Sequence, residues 1–118
     1  MTAAARVAPL LLLLSLCASG PQYDIEIKNS TGRFIQDAHV RFDGFESIGG
    51  TLAPDAKKVH GGIRRPLPAV VDVVWASDTG ERHDVRVAVN LPAHFIGVVA
   101  FEIAADNSVA VTSETQKE

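Results

Sequence analysis

This 118-residue chain contains four histidines, a residue type that can bind metal ions or take part in catalysis. A zinc site needs three or four ligands that converge on one point, and no pair of these histidines has a recognised ligand spacing. His39 and His83 fall at strand positions predicted to point outward, where an ordinary surface histidine is expected. The four are His39, His60, His83 and His94. We therefore expect no metal site.

Motifs for covalent catalysis and for phosphate binding are incomplete. The segment around Ser47 has Phe45 at the position where a nucleophile elbow needs glycine. Gly49 and Gly50 are not followed by the Lys-Ser/Thr pair of a phosphate-binding loop. Pairs of acidic residues are easy to find, but without a cleft they define no general acid and base. We expect neither an enzyme nor a cofactor.

One segment is strongly basic. No acid occurs between Asp55 and Asp72, although the whole chain has a net charge of −3 and so no overall footprint for nucleic acid. The segment could dock an acidic partner or lipid headgroups. It could instead protect an edge strand, since charges and proline there discourage aggregation, and this interpretation is the simpler one. The candidate partner-binding residues are Lys57, Lys58, His60, Arg64 and Arg65.

Residues 1–19 have the three-part pattern of an export signal. Met1–Arg6 carries one positive charge, Val7–Leu16 is an apolar run, and small residues follow up to Gly20. The run is shorter than the ~20 apolar residues that span a bilayer. We therefore predict a signal peptide, removed from a protein that is periplasmic or secreted.

The single cysteine lies at the end of this run and leaves two processing routes open. The sequence from Leu14 to Cys17 resembles a bacterial lipobox, in which the cysteine is lipidated, except that Leu16 stands where a small residue is usual. Ordinary cleavage after Ser19 fits slightly better. In either case one cysteine excludes an internal disulfide framework. A membrane contact is expected only through a lipid anchor at Cys17.

The rest of the chain has the composition and periodicity of short strands. Residues 20–118 contain 20 Val and Ile but only three Leu, a ratio that disfavours a helical bundle. Apolar residues alternate in several segments, such as 23–28 and 83–90. Lys57–Ile63 is expected to be a short edge strand. We therefore predict a single domain over residues 22–113 and a flexible tail over residues 114–118. The predicted core residues are Val73, Trp75, Val87 and Phe101.

Six or seven short strands at regular spacing predict an all-β fold, an antiparallel β-sandwich of the immunoglobulin or fibronectin-III type. Asn29-Ser30-Thr31-Gly32, Val40–Gly44, Gly50–Pro54 and Val74-Trp75 resemble small bacterial envelope and lipoprotein domains of this type. These motifs consist mainly of turn and core residues. The resemblance therefore implies a fold and no activity.

Export without catalytic motifs predicts a non-enzymatic protein of the cell envelope. We expect it to bind another envelope protein, one with an acidic surface, or to have a structural role. Two alternatives stay open. The first is a periplasmic immunity or inhibitor protein, which a toxin or effector gene next to its own would reveal. The second is a small hydrolase, which the incomplete motifs disfavour.

The export signal makes a prediction about the mature chain. The exported protein should lack at least residues 1–16, because a signal peptidase removes the apolar run. Intact-mass measurement should find either a start near Gly20 or a lipidated Cys17. In the second case, Cys17→Ala should abolish partitioning into detergent. An exported form that retains Met1 would contradict the prediction.

Overall fold

The computed structural model describes residues 20–116, which form two four-stranded β-sheets. The predicted signal segment with Cys17 lies outside these residues. Between residues 20 and 116, no helix is long and apolar enough to cross a membrane. The strands are β1 (Gln22–Ser30), β2 (Ile35–Phe42), β3 (Phe45–Glu46), β4 (Lys57–Ile63), β5 (Val70–Ser77), β6 (Arg82–Ala88), β7 (Ile96–Ala104) and β8 (Val109–Thr115). This count of eight corrects the expected six or seven.

The strand order is β4-β1-β7-β8 in sheet I and β3-β2-β5-β6 in sheet II. All neighbours are antiparallel except β1 and β7, which run parallel along their full length. The prediction of a purely antiparallel sandwich is therefore wrong at the centre of sheet I. The physical reason is that side-chain alternation shows which face of a strand is buried but carries no information about strand direction.

The core lies between the two sheets and is filled by alternate residues of their central strands. Trp75, Val73 and Phe101 are fully buried there, whereas Val87, on the edge strand β6, is only half-buried. The buried apolar side chains of this core are Tyr23, Ile25, Ile27, Ile35, Ala38, Val40, Phe42, Leu52, Ile63, Val71, Val73, Trp75, Val89, Phe95, Val99, Phe101 and Ile103.

The chain that crosses from sheet II to sheet I, between β3 and β4, is mostly irregular backbone. Ser47 donates its N–H to the carbonyl of Val40 (2.9 Å), and its hydroxyl accepts the Val40 N–H (2.8 Å). Further along, Ile35 and Leu52 exchange two backbone hydrogen bonds of 3.0 and 2.9 Å. These contacts satisfy the outer edge of β2 without a regular strand.

The buried side chain of Asn29 joins the β1–β2 turn to this crossing segment. Its amide nitrogen donates to the carbonyl oxygens of Arg33, Leu52 and Ala53, at 2.6, 3.0 and 3.1 Å. Its oxygen accepts from the N–H and the hydroxyl of Thr31, at 3.0 and 2.7 Å. Asn29 has 0% exposure, so this polar group is completely desolvated and completely paired.

The C-terminal end of the fold differs from the predicted tail. Strand β8 continues to Thr115 and pairs with β7 along its whole length. The first two residues of the expected tail over 114–118 therefore belong to sheet I. A polar sequence does not prevent pairing here, because the outer strand of a sheet has solvent on one side.

The burial of Trp75 predicts a large loss of stability on truncation. Trp75→Ala should lower the free energy of unfolding by roughly 3–5 kcal/mol, the range for a buried aromatic, out of about 5–15 kcal/mol for a small domain. Denaturant unfolding followed by circular dichroism measures it, since Trp75 is the only fluorescent indole. The matched control is Phe34→Ala: this aromatic side chain is 54% exposed, so the change should stay within about 0.5 kcal/mol. An equal loss of unfolding free energy in the two variants would contradict the burial of Trp75 in the core.

Candidate functional site

The basic segment found in the sequence forms an edge of the sandwich. Strand β4 is the outermost strand of sheet I and pairs only with β1 within residues 20–116. Lys58 lies opposite Ile27, and His60 lies opposite Ile25, so both point toward the side of the sheet that carries the core. Lys57 and its neighbour Val59 point to the outer side. We call Lys57, Lys58, His60, Arg64 and Arg65 the basic edge.

Side chains of both sheets meet at the basic edge. The His60 ring lies 5.6 Å from the ring of Phe45 in β3, and its Nδ1 accepts a 2.9 Å hydrogen bond from the N–H of Ile48. The guanidinium carbon of Arg65 lies 4.9 Å from the centre of the same Phe45 ring, within the range of a cation–π contact. The basic edge therefore closes the side of the sandwich where β3 and β4 end the two sheets.

Tyr23 fixes the backbone next to this contact. Its hydroxyl donates a 2.8 Å hydrogen bond to the carbonyl oxygen of Arg65, and its side chain is almost completely buried. Burial raises the pKa of the phenol to about 12, and the nearby positive charge of Arg65 opposes part of this rise. A neutral Tyr23 thus remains a hydrogen-bond donor over the whole physiological pH range. Arg64 makes a longer contact of 3.4 Å with the side chain of Gln22.

The two lysines of the basic edge have different surroundings. The Nζ of Lys57 lies 3.6 Å from a carboxylate oxygen of Glu26, on the outer side of sheet I. The Lys58 ammonium instead lies against Gly50, where an added Cβ would approach it to 2.8 Å. The structure therefore does not gather all five predicted residues into one patch. Lys58, His60 and Arg65 line the side of the sandwich, and Lys57 lies around the corner.

Exposed apolar groups accompany these charges. Ile48 is 54% exposed and Val59 is 50% exposed, and each adjoins a residue of the basic edge. A mixture of apolar and cationic groups at a fixed edge is a common composition for a protein-binding surface. The sequence alone does not show that Phe45 and Ile48 belong here, because Phe45 comes from β3 of the other sheet and Ile48 from the crossing segment.

The edge strand also has features that block strand pairing. The β1–β4 register shifts between Tyr23 and Ile25, and Gly62 has a positive φ of 72° that favours glycine. The N–H of Gly62 donates to the carboxylate of Asp24 at 3.0 Å. Such a bulge, together with lysines, hinders the addition of another strand. Edge protection and docking through side chains are therefore compatible on β4.

The other charged face is internally paired. On the outer side of sheet II, Arg41 contacts Asp84 at 2.8 Å and Asp72 at 3.5 Å, while Arg86 contacts Asp72 at 3.3 Å. The hydrogen bond to Asp84 raises the pKa of Arg41 further. Because these charges neutralise one another, they offer a partner less net charge than the basic edge does.

The prediction of two outward-pointing surface histidines is wrong in two ways: His39 points outward but is covered, and His83 points toward the core. His39 is only 4% exposed, because the register shifts between Gln36 and His39, where Asp37 has a φ of 53°. Its Nδ1 lies 2.8 Å from the Asp37 carbonyl oxygen. His83 lies opposite Trp75 and stacks on it, with ring centres 5.1 Å apart. The signal for His83 was present in the sequence, since it has the same parity in β6 as the inward-facing valines.

A small concave region lies at one end of the sandwich. Its cleft of about 210 Å³ is lined by Phe34, Trp75, Asp78 and His83, among others. Ligand pockets usually measure about 300–1,000 Å³, so this cleft is small. Within residues 20–116, no group of three or more His, Cys, Asp or Glu residues could hold a metal ion. Two larger depressions, of about 440 Å³ each, lie along β1, β7 and β8 and are lined mainly by polar residues. Neither brings together a cluster of charged and aromatic groups like the one at the basic edge, which is the strongest candidate site.

Comparison with known proteins agrees with the fold. No family model matches the chain, and no curated protein matches it in sequence. Among solved structures, the NMR structure of the protein from Eubacterium rectale is similar, with a TM-score of 0.56 over 81% of this chain and 91% of that chain. The sequences are 16% identical, so this similarity concerns the fold alone.

The raised pKa of Tyr23 predicts a loss of stability at high pH. The unfolded phenol has a pKa near 10.0 and the folded one a pKa of about 12. The stabilisation is present below pH 10 and is lost as the pH rises from 10 to 12. Over this interval the free energy of unfolding should fall more steeply in the wild type than in Tyr23→Phe.

A spectroscopic titration tests the same assignment directly. Tyr23 is the only tyrosine, so the phenolate absorbance of the folded protein reports this group alone. Tyr23→Phe serves as the blank and should also lose about 0.5–1.5 kcal/mol at neutral pH through its missing hydrogen bond. A phenolate that appears near pH 10 in the folded protein would contradict the buried, neutral Tyr23.

Proposed function

We propose that this protein is a non-enzymatic, exported component of the cell envelope that binds an acidic partner protein through the basic edge. The observation that carries the proposal is the arrangement of Arg65 and His60 around Phe45, where fixed charge and exposed apolar surface occur together. A rigid surface of this kind loses little conformational entropy on binding. Complementary charge adds a faster encounter and selects against basic partners.

The location in the envelope rests on the sequence of residues 1–19. Their charged start, apolar run and small residues support export, and Cys17 supports a lipid anchor as one of the two processing routes. Anchoring would hold the domain near envelope proteins and raise their effective concentration. For the domain itself we propose the immunoglobulin or fibronectin-III type of sandwich, supported by its size and its two facing sheets.

Replacement of the charges tests the proposed docking surface. A quadruple variant, in which Gln replaces Lys57, Lys58, Arg64 and Arg65, should lose most of its binding to an envelope partner. Raising the salt concentration should weaken binding by the wild type in the same way, because exposed charges are screened within ~8–10 Å at physiological ionic strength. The measurement is capture of the partner from solubilised envelope on immobilised protein, with identification by mass spectrometry and a salt titration.

A matched variant separates the surface from net charge. Changing Arg33, Arg41, Arg82 and Arg86 to Gln removes the same number of charges from the β1–β2 turn and from sheet II, away from the basic edge. This control should still capture the partner, and both variants should unfold at nearly the wild-type temperature, because exposed ion pairs contribute little. Equal loss of binding in the two variants, or capture that salt does not weaken, would overturn the proposal. More aggregation of the first variant with unchanged binding would assign edge protection alone to the lysines.

A further inference from the structure

Within residues 20–116 the two sheets end in four edge strands, and three of them resist pairing with another strand. Strand β3 has only two residues. Strand β4 contains two lysines and the bulge at Gly62. The hydrogen bond from the Ser77 N–H to the Glu81 carbonyl shows that the odd-numbered residues of β6 are the ones bonded to β5. The even-numbered residues of β6 therefore direct their backbone groups to the free side, and three of these four residues are charged. Charged side chains protect such an edge.

Strand β8 is the fourth edge and presents regular backbone to solvent. Two hydrogen bonds of 2.9 Å, from the N–H of Ala104 to the carbonyl of Ser108 and from the N–H of Gln116 to the carbonyl of Ile96, mark the ends of the β7–β8 ladder. They show that the even-numbered residues of β8 are the ones hydrogen-bonded to β7. In an antiparallel pair the residues between them direct their N–H and C=O groups to the other side. The residues with backbone groups on the free side of β8 are therefore Val109, Val111, Ser113 and Thr115.

The side chains of β8 carry no protective feature along most of its length. From Val109 to Ser113 the strand has no charged residue, no proline and no glycine, and Glu114 bears its only charge. Valine and threonine favour extended pairing. A seven-residue edge of this composition recruits another strand unless something covers it.

We propose that the free edge of β8 pairs with the same edge of a second copy of this chain, antiparallel and with a two-fold axis at Thr112. Full overlap of the seven residues places Thr112 opposite Thr112 of the second copy and Val111 opposite Ser113. The free backbone groups of the odd-numbered residues then face each other, as an antiparallel ladder requires.

The sequence of β8 is compatible with itself in this register, which favours a second copy as the occupant of this edge. In this register each Glu114 lies opposite Ala110 of the other copy, so the two carboxylates are at opposite ends of the pair and no like charges face each other. Directly opposed threonines form a favourable cross-strand pair. The arrangement is also closed, because a two-fold contact uses up both edges and cannot grow into a fibre.

Pairing through β8 leaves the basic edge free. Strands β8 and β4 are at opposite ends of sheet I, so the dimer would have one eight-stranded sheet with a basic edge at each far end. Two such surfaces on one particle could bind a repeated or clustered partner with higher avidity than a single copy.

Charge variants at the two-fold axis test the proposed dimer. Sedimentation velocity of the purified protein over a concentration series should show twice the mass of one chain. Thr112→Lys alone and Thr112→Glu alone should each be monomeric, because they place like charges opposite each other at an exposed position. A mixture of the two variants should recover the dimer, since the opposed charges then attract. Circular dichroism and melting temperature should match the wild type for both.

A backbone variant tests the same edge independently of charge. Ser113→Pro removes an N–H from the free side only and should abolish the dimer, while Arg82→Pro does the same on the edge of β6 and should leave it intact. A monomeric wild type, a Thr112→Lys variant that dimerises like the wild type, or Ser113→Pro with an unchanged dimer would each overturn the proposal. If Ser113→Pro fails to fold, the variants Thr112→Lys and Thr112→Glu still test the proposed dimer, because they introduce no proline.

Discussion

The buried amide of Asn29 is the interaction on which the arrangement of the two sheets depends. It is the last inward-facing residue of β1, and its five hydrogen bonds hold both the turn to β2 and the crossing segment at Leu52 and Ala53. An apolar residue here would remove one hydrogen bond from each of these three carbonyl groups, which keep Ile35, Ala56 and Thr31 as donors. It would also remove the acceptor of the Thr31 N–H, at about 0.5–1.5 kcal/mol for each bond lost. The crossing segment in turn completes the edge of β2 and carries Phe45 and Ile48 to the basic edge.

The way each edge strand is finished explains where this fold can interact. Strand β4 has a bulge and lysines, so it offers side chains and not backbone to a partner. Strand β6 holds charges that are paired with Arg41 and Asp72 across the sheet. Strand β8 alone offers regular backbone with an almost uncharged sequence. The proposed side-chain docking at one end of sheet I and the proposed strand pairing at the other thus both follow from the features of the exposed strand edges.

His39 and His83 show how tertiary structure changes the role of a residue. His39 lies on the outer side of sheet II but is covered, because the bulge at Asp37 brings neighbouring groups over it. His83 lies on the core side and uses its ring to cover Trp75. Neither histidine resembles a ligand, and both act mainly as packing groups with a polar atom. Alternation within one strand identified the face of His83 but could not foresee the bulge that buried His39.

Sequence alone determined the all-β class, most strand positions and the core residues Trp75, Val73 and Phe101, because period-two burial is a local property of the chain. It also located β4 at an edge, since lysines and glycines there are costly in a central strand. Only the tertiary structure decided the parallel pairing of β1 with β7, the division of the basic residues between two faces and the free side of β8. These depend on which distant segments become neighbours, and alternation within a strand contains no record of that choice.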